Sequence, residues 1–321
     1  MSFSNHEGGL TVSLDKGFEV TFLGQDYPIP FPVLEEGTQR TALNEGEFFP
    51  FTHFSIVMNK ERKFAIYCAH NIDLNKRRKI ERHDRWHYDS RIGEENQVGN
   101  WLYKGGNQDM WDRGHMVTRD DVGWGEEEDQ ENKEAVDADF DSFCWANIVP
   151  QHKIFHASDW GKLERWIVER TGSRNKKLSV FTGPIYTKDD REYCGYRKPL
   201  GCGVKIPAGF WKVVFYIGDD NKLHSAAFIM MQDDYWKHEI REELRTLDKY
   251  RILENFNVLE KFQVPLKTIS EVTGIIFKEQ LYNTNPLYFW ANTVTERKNI
   301  MTPEVYTIHQ ASDLLLERDL I

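Results

Sequence analysis

Five apolar runs, each about the length of a strand, constrain this chain more than anything else in its sequence. The first two, Phe54–Met58 and Phe64–Ala69, flank a charged Asn-Lys-Glu-Arg-Lys stretch, which is a hairpin signal. Leu178–Tyr186, Val204–Tyr216 and Ser225–Met231 read as further strands. One helical pattern stands out, over Ser158–Arg170. Ser158 is placed as an N-cap, and Trp160, Leu163 and Ile167 recur on one face. Residues 235–255 are charged and helical in pattern, and 262–277 close with a short helix. Strands and helices mix without a βαβ rhythm, so the chain is expected to be α+β with an antiparallel sheet. Residues 1–49 read as an extended lead-in with one strand, 50–278 as the main domain, and 279–321 as a C-terminal extension for recruitment or oligomerisation.

Charge narrows the partners. The formal net charge is −10, which argues against a broad coat of bound nucleic acid but leaves room for a local basic cleft. The most basic segment is 74–91, a candidate to face phosphate. Residues 120–141 hold eleven Asp or Glu against one Lys, a pattern expected to form a solvated loop and, on a sharper reading, an autoinhibitory or partner-binding one. The N-terminus has no basic start followed by an apolar run, and no stretch reaches the roughly 18 apolar residues of a membrane span. None of the four cysteines forms a CxxC pair. Cys194 and Cys202 are close in sequence, but free thiols are favoured. The expectation is a soluble cytoplasmic protein with no membrane partner.

The sharpest local signal is Asp112-Arg113-Gly114-His115. It is followed by Asn147-Ile148-Val149-Pro150-Gln151, then His156, Trp160 and Leu163-Glu164. These are parts that phosphodiester hydrolysis needs. A neutral imidazole can deprotonate water, a guanidinium can brace phosphate oxygens, and a hard divalent ion needs few protein ligands because it keeps most of its waters.

With Asn147-x-x-Pro150-Gln151 and Trp160-x-x-Leu163-Glu164 in order after it, this motif resembles the DNA/RNA non-specific endonucleases. Residues 53–59, 69–73, 182–186, 204–214 and 272–277 also look like family segments, so the resemblance covers roughly 50–278. It implies a ββα-metal (His-Me finger) nuclease fold, a central antiparallel sheet flanked by helices, and metal-dependent hydrolysis of DNA, RNA or both with little sequence selectivity. By resemblance His115 matches the general base, and Asp112 and Gln151 support the site. Arg113, Arg85 and Asn147 match substrate-facing residues, and Glu164 matches the residue that orients metal-bound water. The metal position falls on His156, where the family has Asn. One divalent cation is implied, Mg²⁺ first. Imidazole is softer than an amide oxygen, which brings Mn²⁺ into range. In an unbroken helix His156 and Glu164 would stand about 80° apart. Four residues after Glu164 the family tends to carry Arg, and this chain has Val168. The resemblance further implies a homodimer and, for a nuclease inside its own cell, a regulatory protein partner in a defence or stress role. The alternative is a catalytically weakened relative that binds nucleic acid or protein without cutting.

Overall fold

A computed structural model describes residues 17–103, 111–126, 131–193, 203–234, 248–287 and 305–316. The strands are β1 (Val33–Leu34), β2 (Phe48–Phe51), β3 (Phe54–Met58), β4 (Ala65–Asp73), β5 (Trp111–His115), β6 (Ile148–His152) and β7 (Lys177–Ile185). They continue with β8 (Glu192–Tyr193), β9 (Val204–Lys205), β10 (Gly209–Ile217), β11 (Leu223–Met231), β12 (Lys261–Val264), β13 (Ile275–Ile276) and β14 (Tyr306–Ile308). The α-helices are α1 (Glu36–Thr41), α2 (Arg119–Val122), α3 (Lys133–Ser142), α4 (Gly161–Asn175), α5 (Asp248–Leu253), α6 (Leu266–Thr273) and α7 (Glu279–Tyr282).

Eight strands form one sheet in the order β14-β12-β11-β10-β7-β4-β3-β2, and every neighbouring pair is antiparallel. The period-2 geometry of a strand sends alternate side chains to opposite faces. On β10, Phe210, Val214 and Tyr216 join the core on one face, with Trp211, Val213 and Phe215 on the other. The first face carries Trp111 of β5, Ile148 of β6, and Leu163 and Ile167 of α4. The second carries Phe18 and Ile29 of the lead-in, with Leu253 of α5 and Ile269 of α6. Both faces are therefore covered, which explains why the strand runs are so continuously apolar.

The hairpin expected from residues 54–69 is β3–β4, and the 178–186 and 225–231 runs are β7 and β11. The 204–216 run is two strands, separated at Ile206–Ala208 around Pro207, which lacks an N–H for a ladder bond. Trp160, Leu163 and Ile167 are buried, as their spacing demands, each contributing roughly 1.5–3 kcal/mol of apolar burial. Ser158, however, does not cap α4. The chain is already helical there, in a π turn over Phe155–Trp160.

Three further expectations change. The lead-in is more than an extended strand: α1 forms within it, and Phe18, Phe22 and Ile29 are core residues. The acidic run is not simply a solvated loop, because α2 and α3 lie in it. Ala135, Ala138 and Asp139 of α3 are buried. The described part of the C-terminal tail is built into the domain, with β14 on the sheet edge and Leu314 and Leu316 in the core. Residues 235–247, Cys194 and Cys202 lie outside the described residues. Cys68 and Cys144 are buried free thiols. Among the described residues no helix is long and apolar enough to cross a membrane.

Candidate active site

On the first face of the sheet, β5 and β6 pair antiparallel and lead through the π turn into α4, a ββα unit. The register sets Asp112 opposite Gln151 and His115 opposite Ile148. A side chain at Gly114 would collide with that of Gln151, which is buried, so the close approach of the two suits glycine.

His115 ends β5 against an aromatic wall. Its ring lies edge-on to Phe143 at 5.3 Å and 5.5 Å from Trp86. Nε2 is buried with no hydrogen-bond partner. Such orphaned polar atoms are rare and call for an explanation. Burial pushes the imidazole down to about 3, helped by Arg82 and by the facing His156 ring and opposed by the Arg113 backbone and by Asp84. A neutral imidazole with its lone pair on Nε2 is the form a proton acceptor needs.

This displacement has a consequence for pH. The kcat/KM profile reports the base of the free enzyme. If His115 is that base, the acid limb is expected well below the ordinary histidine value of 6.5. A limb centred near 6.5 would contradict it. The sign for stability is the same. The folded state resists protonating this ring, so stability is lost as pH falls from about 6.5 toward 3.

Two guanidiniums face the wall. Arg113 stacks over Trp86 at 5.1 Å and donates two hydrogen bonds to Asn100 Oδ1, at 3.2 and 2.8 Å. Arg82 lies over Phe143 at 5.6 Å and donates to Asp84 at 2.7 Å. Arg85, expected here, instead lies over Phe140 of α3 at 5.2 Å and lines a separate cleft with Lys79 and His83. The arginine on the His115 wall is therefore Arg82. Sequence reading missed it because several arginines crowd this stretch and only the fold selects one.

Asn147 also departs from expectation. It is wholly buried and does not reach the cleft. Its Oδ1 accepts from Val117 N at 2.9 Å, while Nδ2 donates to Val117 O at 2.8 Å and Ser142 O at 2.9 Å. Its side chain fixes the chain just after His115 and leaves nothing for substrate. Gln151 is buried in a supporting position, with both amide atoms unpartnered.

His156 sits in the π turn, half-exposed, with Nδ1 3.1 Å from Asp112 Oδ2. π turns are often found at functional sites. A π turn winds less per residue than an α-helix, so His156 and Glu164 stand closer to one face than the 80° of an unbroken α-helix. Glu164 has a partner that the sequence reading overlooked. Lys212, whose position on β10 points it under α4, is almost fully buried and lies 2.7 Å from Glu164 Oε1. A lysine inside the apolar run 209–217 was the available signal.

The first part of the basic stretch before the site is tied to the acidic one. Lys76 pairs with Glu126 at 2.5 Å and Arg77 with Asp121 at 3.6 Å, while Arg78 donates to the carbonyls of Gly125 and Glu126. Arg82 and Arg85 lie beyond these pairs.

Comparison with known proteins adds the following. Residues 41–284 match the model of the DNA/RNA non-specific endonuclease family. An uncharacterized protein, y4fB, of Sinorhizobium fredii is 32% identical over 282 residues, covering 84% of this chain and 40% of that protein. A nuclease of Serratia marcescens is 24% identical over 185 residues, covering 56% of this chain and 62% of that protein. The chain therefore spans less than two thirds of either relative. An EndoG chain from the crystal structure of the EndoG/EndoGI complex superposes with a TM-score of 0.51 at 19% identity, covering 80% of this chain and 89% of that one. The mixed architecture with its large antiparallel sheet is the ββα-metal nuclease fold seen in that neighbour.

Proposed function

The chain belongs to the DNA/RNA non-specific endonuclease family, and on that premise we propose that it hydrolyses phosphodiester bonds of DNA, RNA or both, with His115 as general base. The observation that carries this reading is the orphaned Nε2 of an imidazole held neutral by its surroundings, on a wall shared with two guanidiniums. Nε2 is shielded from solvent, so this step requires substrate binding to open the wall enough to admit one water. That water gives Nε2 its proton, and Arg113 and Arg82 bind the phosphate oxygens as negative charge grows on them. Contacts to phosphate and sugar carry no base information, so selectivity is low.

The donor set suits one divalent ion. His156 has Nδ1 tied to the Asp112 carboxylate, the arrangement that orients a metal-binding histidine and leaves Nε2 for the ion. Among the described residues no group of three or more His, Cys, Asp or Glu is gathered for a metal, so water would fill most of the coordination shell. Such an ion supplies charge neutralisation at the scissile phosphate and the leaving oxygen. Imidazole as a ligand favours Mn²⁺ relative to an amide, with Mg²⁺ the hard-ion alternative. Glu164 has one oxygen committed to Lys212, which suits orienting water better than direct ligation. Asp112→Asn is expected to weaken Mn²⁺ binding about 10–100-fold, measured by calorimetry. An unchanged affinity would remove His156 as the oriented ligand.

Conversion of plasmid DNA and of a long RNA, with Mg²⁺, Mn²⁺ or EDTA, tests the whole reading. Cutting is expected with a divalent ion and not with EDTA. Binding of nucleic acid without cutting under every metal would favour the weakened-relative reading, for which the Glu164–Lys212 pair and Val168 are the supporting features. The structural neighbour comes from a complex that describes EndoG inhibition. By analogy we place this chain under the control of a protein inhibitor. Full activity of the purified chain, unchanged by an extract of its own cells, would remove that part.

A further inference from the structure

A second cavity, of about 380 Å³, lies at the ends of β4 and β7 beside α1. Ile66 and Ile275, which belong to the core on the face opposite the ββα unit, form part of its apolar wall. That volume is within the range of small-ligand sites.

Three cations, Arg62, Lys188 and Lys249, and one carboxylate, Glu61, line it. The Arg62 guanidinium lies over the Tyr186 ring at 4.9 Å, donates to the Thr187 carbonyl, and places Nη1 3.0 Å from Asp190. Lys249 of α5 donates to the Tyr186 carbonyl at 2.6 Å. Asp190 is buried and also accepts from the Thr187 N–H at 3.0 Å and from the Thr187 hydroxyl. The lining itself carries three cations against one carboxylate, with Asp190 paired to Arg62 and Glu35 drawing on Lys249 from nearby. Burial pushes the Lys249 ammonium down to about 8, with Asp190 resisting and Arg62 adding repulsion. Burial likewise raises the Asp190 carboxyl to about 6, against the pull of Arg62 and Thr187. A cluster serving only to tie three segments together would be expected to close on itself. This one borders open space.

We propose that this cavity binds a small phosphate monoester with an apolar body, of nucleoside-monophosphate size, its phosphate held by Arg62 and Lys249 and its body against Ile66 and Ile275. The site is separate from His115 and does not rest on the nuclease reading.

Calorimetric titration of the full chain without divalent ions tests it, using the four common nucleoside 5′-monophosphates and inorganic phosphate as probes. At least one nucleotide is expected to bind ten-fold or more tightly than inorganic phosphate (about 1.4 kcal/mol). Lys249→Met and Arg62→Met are each expected to weaken it ten-fold or more, while His115→Ala leaves it unchanged. No binding at millimolar nucleotide, equal binding of inorganic phosphate, or loss in His115→Ala would overturn the proposal. Because Arg62→Met removes a partner of Asp190 and can disturb the fold, the wild-type protein supplies a second readout. Acetylation of Lys249 near pH 8, followed by mass spectrometry, is expected to be slowed by the bound nucleotide. Acetylation at the same rate with and without saturating nucleotide would also overturn it.

Discussion

His115→Ala is expected to slow phosphodiester cleavage by about 10²–10⁴-fold, the range for loss of a positioned general base, in single-turnover assays at saturating metal. The folded state is expected to survive. Nε2 contributes no hydrogen bond that would be lost. The substitution removes an aromatic neighbour of Trp86 and Phe143, so a modest loss of thermal stability is expected. Nucleic-acid binding is expected to persist, because Arg82 and Arg113 are untouched. A rate within ten-fold of wild type would assign the proton transfer to another group.

Asn147→Ala should act on stability instead. The substitution leaves the buried Val117 N–H without its acceptor and two carbonyls without a donor. A buried polar group left unsatisfied costs about 1–3 kcal/mol, so a loss on the order of 3–5 kcal/mol is expected in urea denaturation, read as a fall in the midpoint at unchanged slope. Activity is expected to fall with it, because the chain after His115 loses its anchor. A variant as stable as wild type that had lost only substrate affinity would return Asn147 to the cleft.

These two positions show how far the sequence could be read. The 112–115 motif and the order of the segments after it were legible because both are local. So were β3–β4, β7, β11 and the buried stripe of α4, whose periodicities lie within single elements. The direction of a side chain was not legible when it depended on another segment. Asn147 turns inward because Val117 and Ser142 offer it partners. Arg82 replaces Arg85 on the His115 wall because Phe143, not Phe140, borders His115. Lys212 was hidden by its apolar neighbours, and its meaning depends on α4 crossing above β10 with Glu164 facing down. The acidic run misled for a related reason. Its charge density suggested solvent, yet Asp121 and Glu126 meet Arg77 and Lys76, and the alanines of α3 are buried.

The pair Glu164–Lys212 deserves its place beside the imidazoles, because a buried ammonium stripped of its carboxylate is costly and would press on whatever ion sits near His156. The account therefore assigns different work to each ring: His156 holds the ion, His115 takes the proton.

Electron spin-echo modulation of Mn²⁺ bound to the protein separates those duties. Coupling to the nitrogen of a single imidazole is expected in the wild type, retained in His115→Ala and lost in His156→Ala. Coupling that vanished with His115, or a bound Mn²⁺ with no imidazole nitrogen at all, would contradict it.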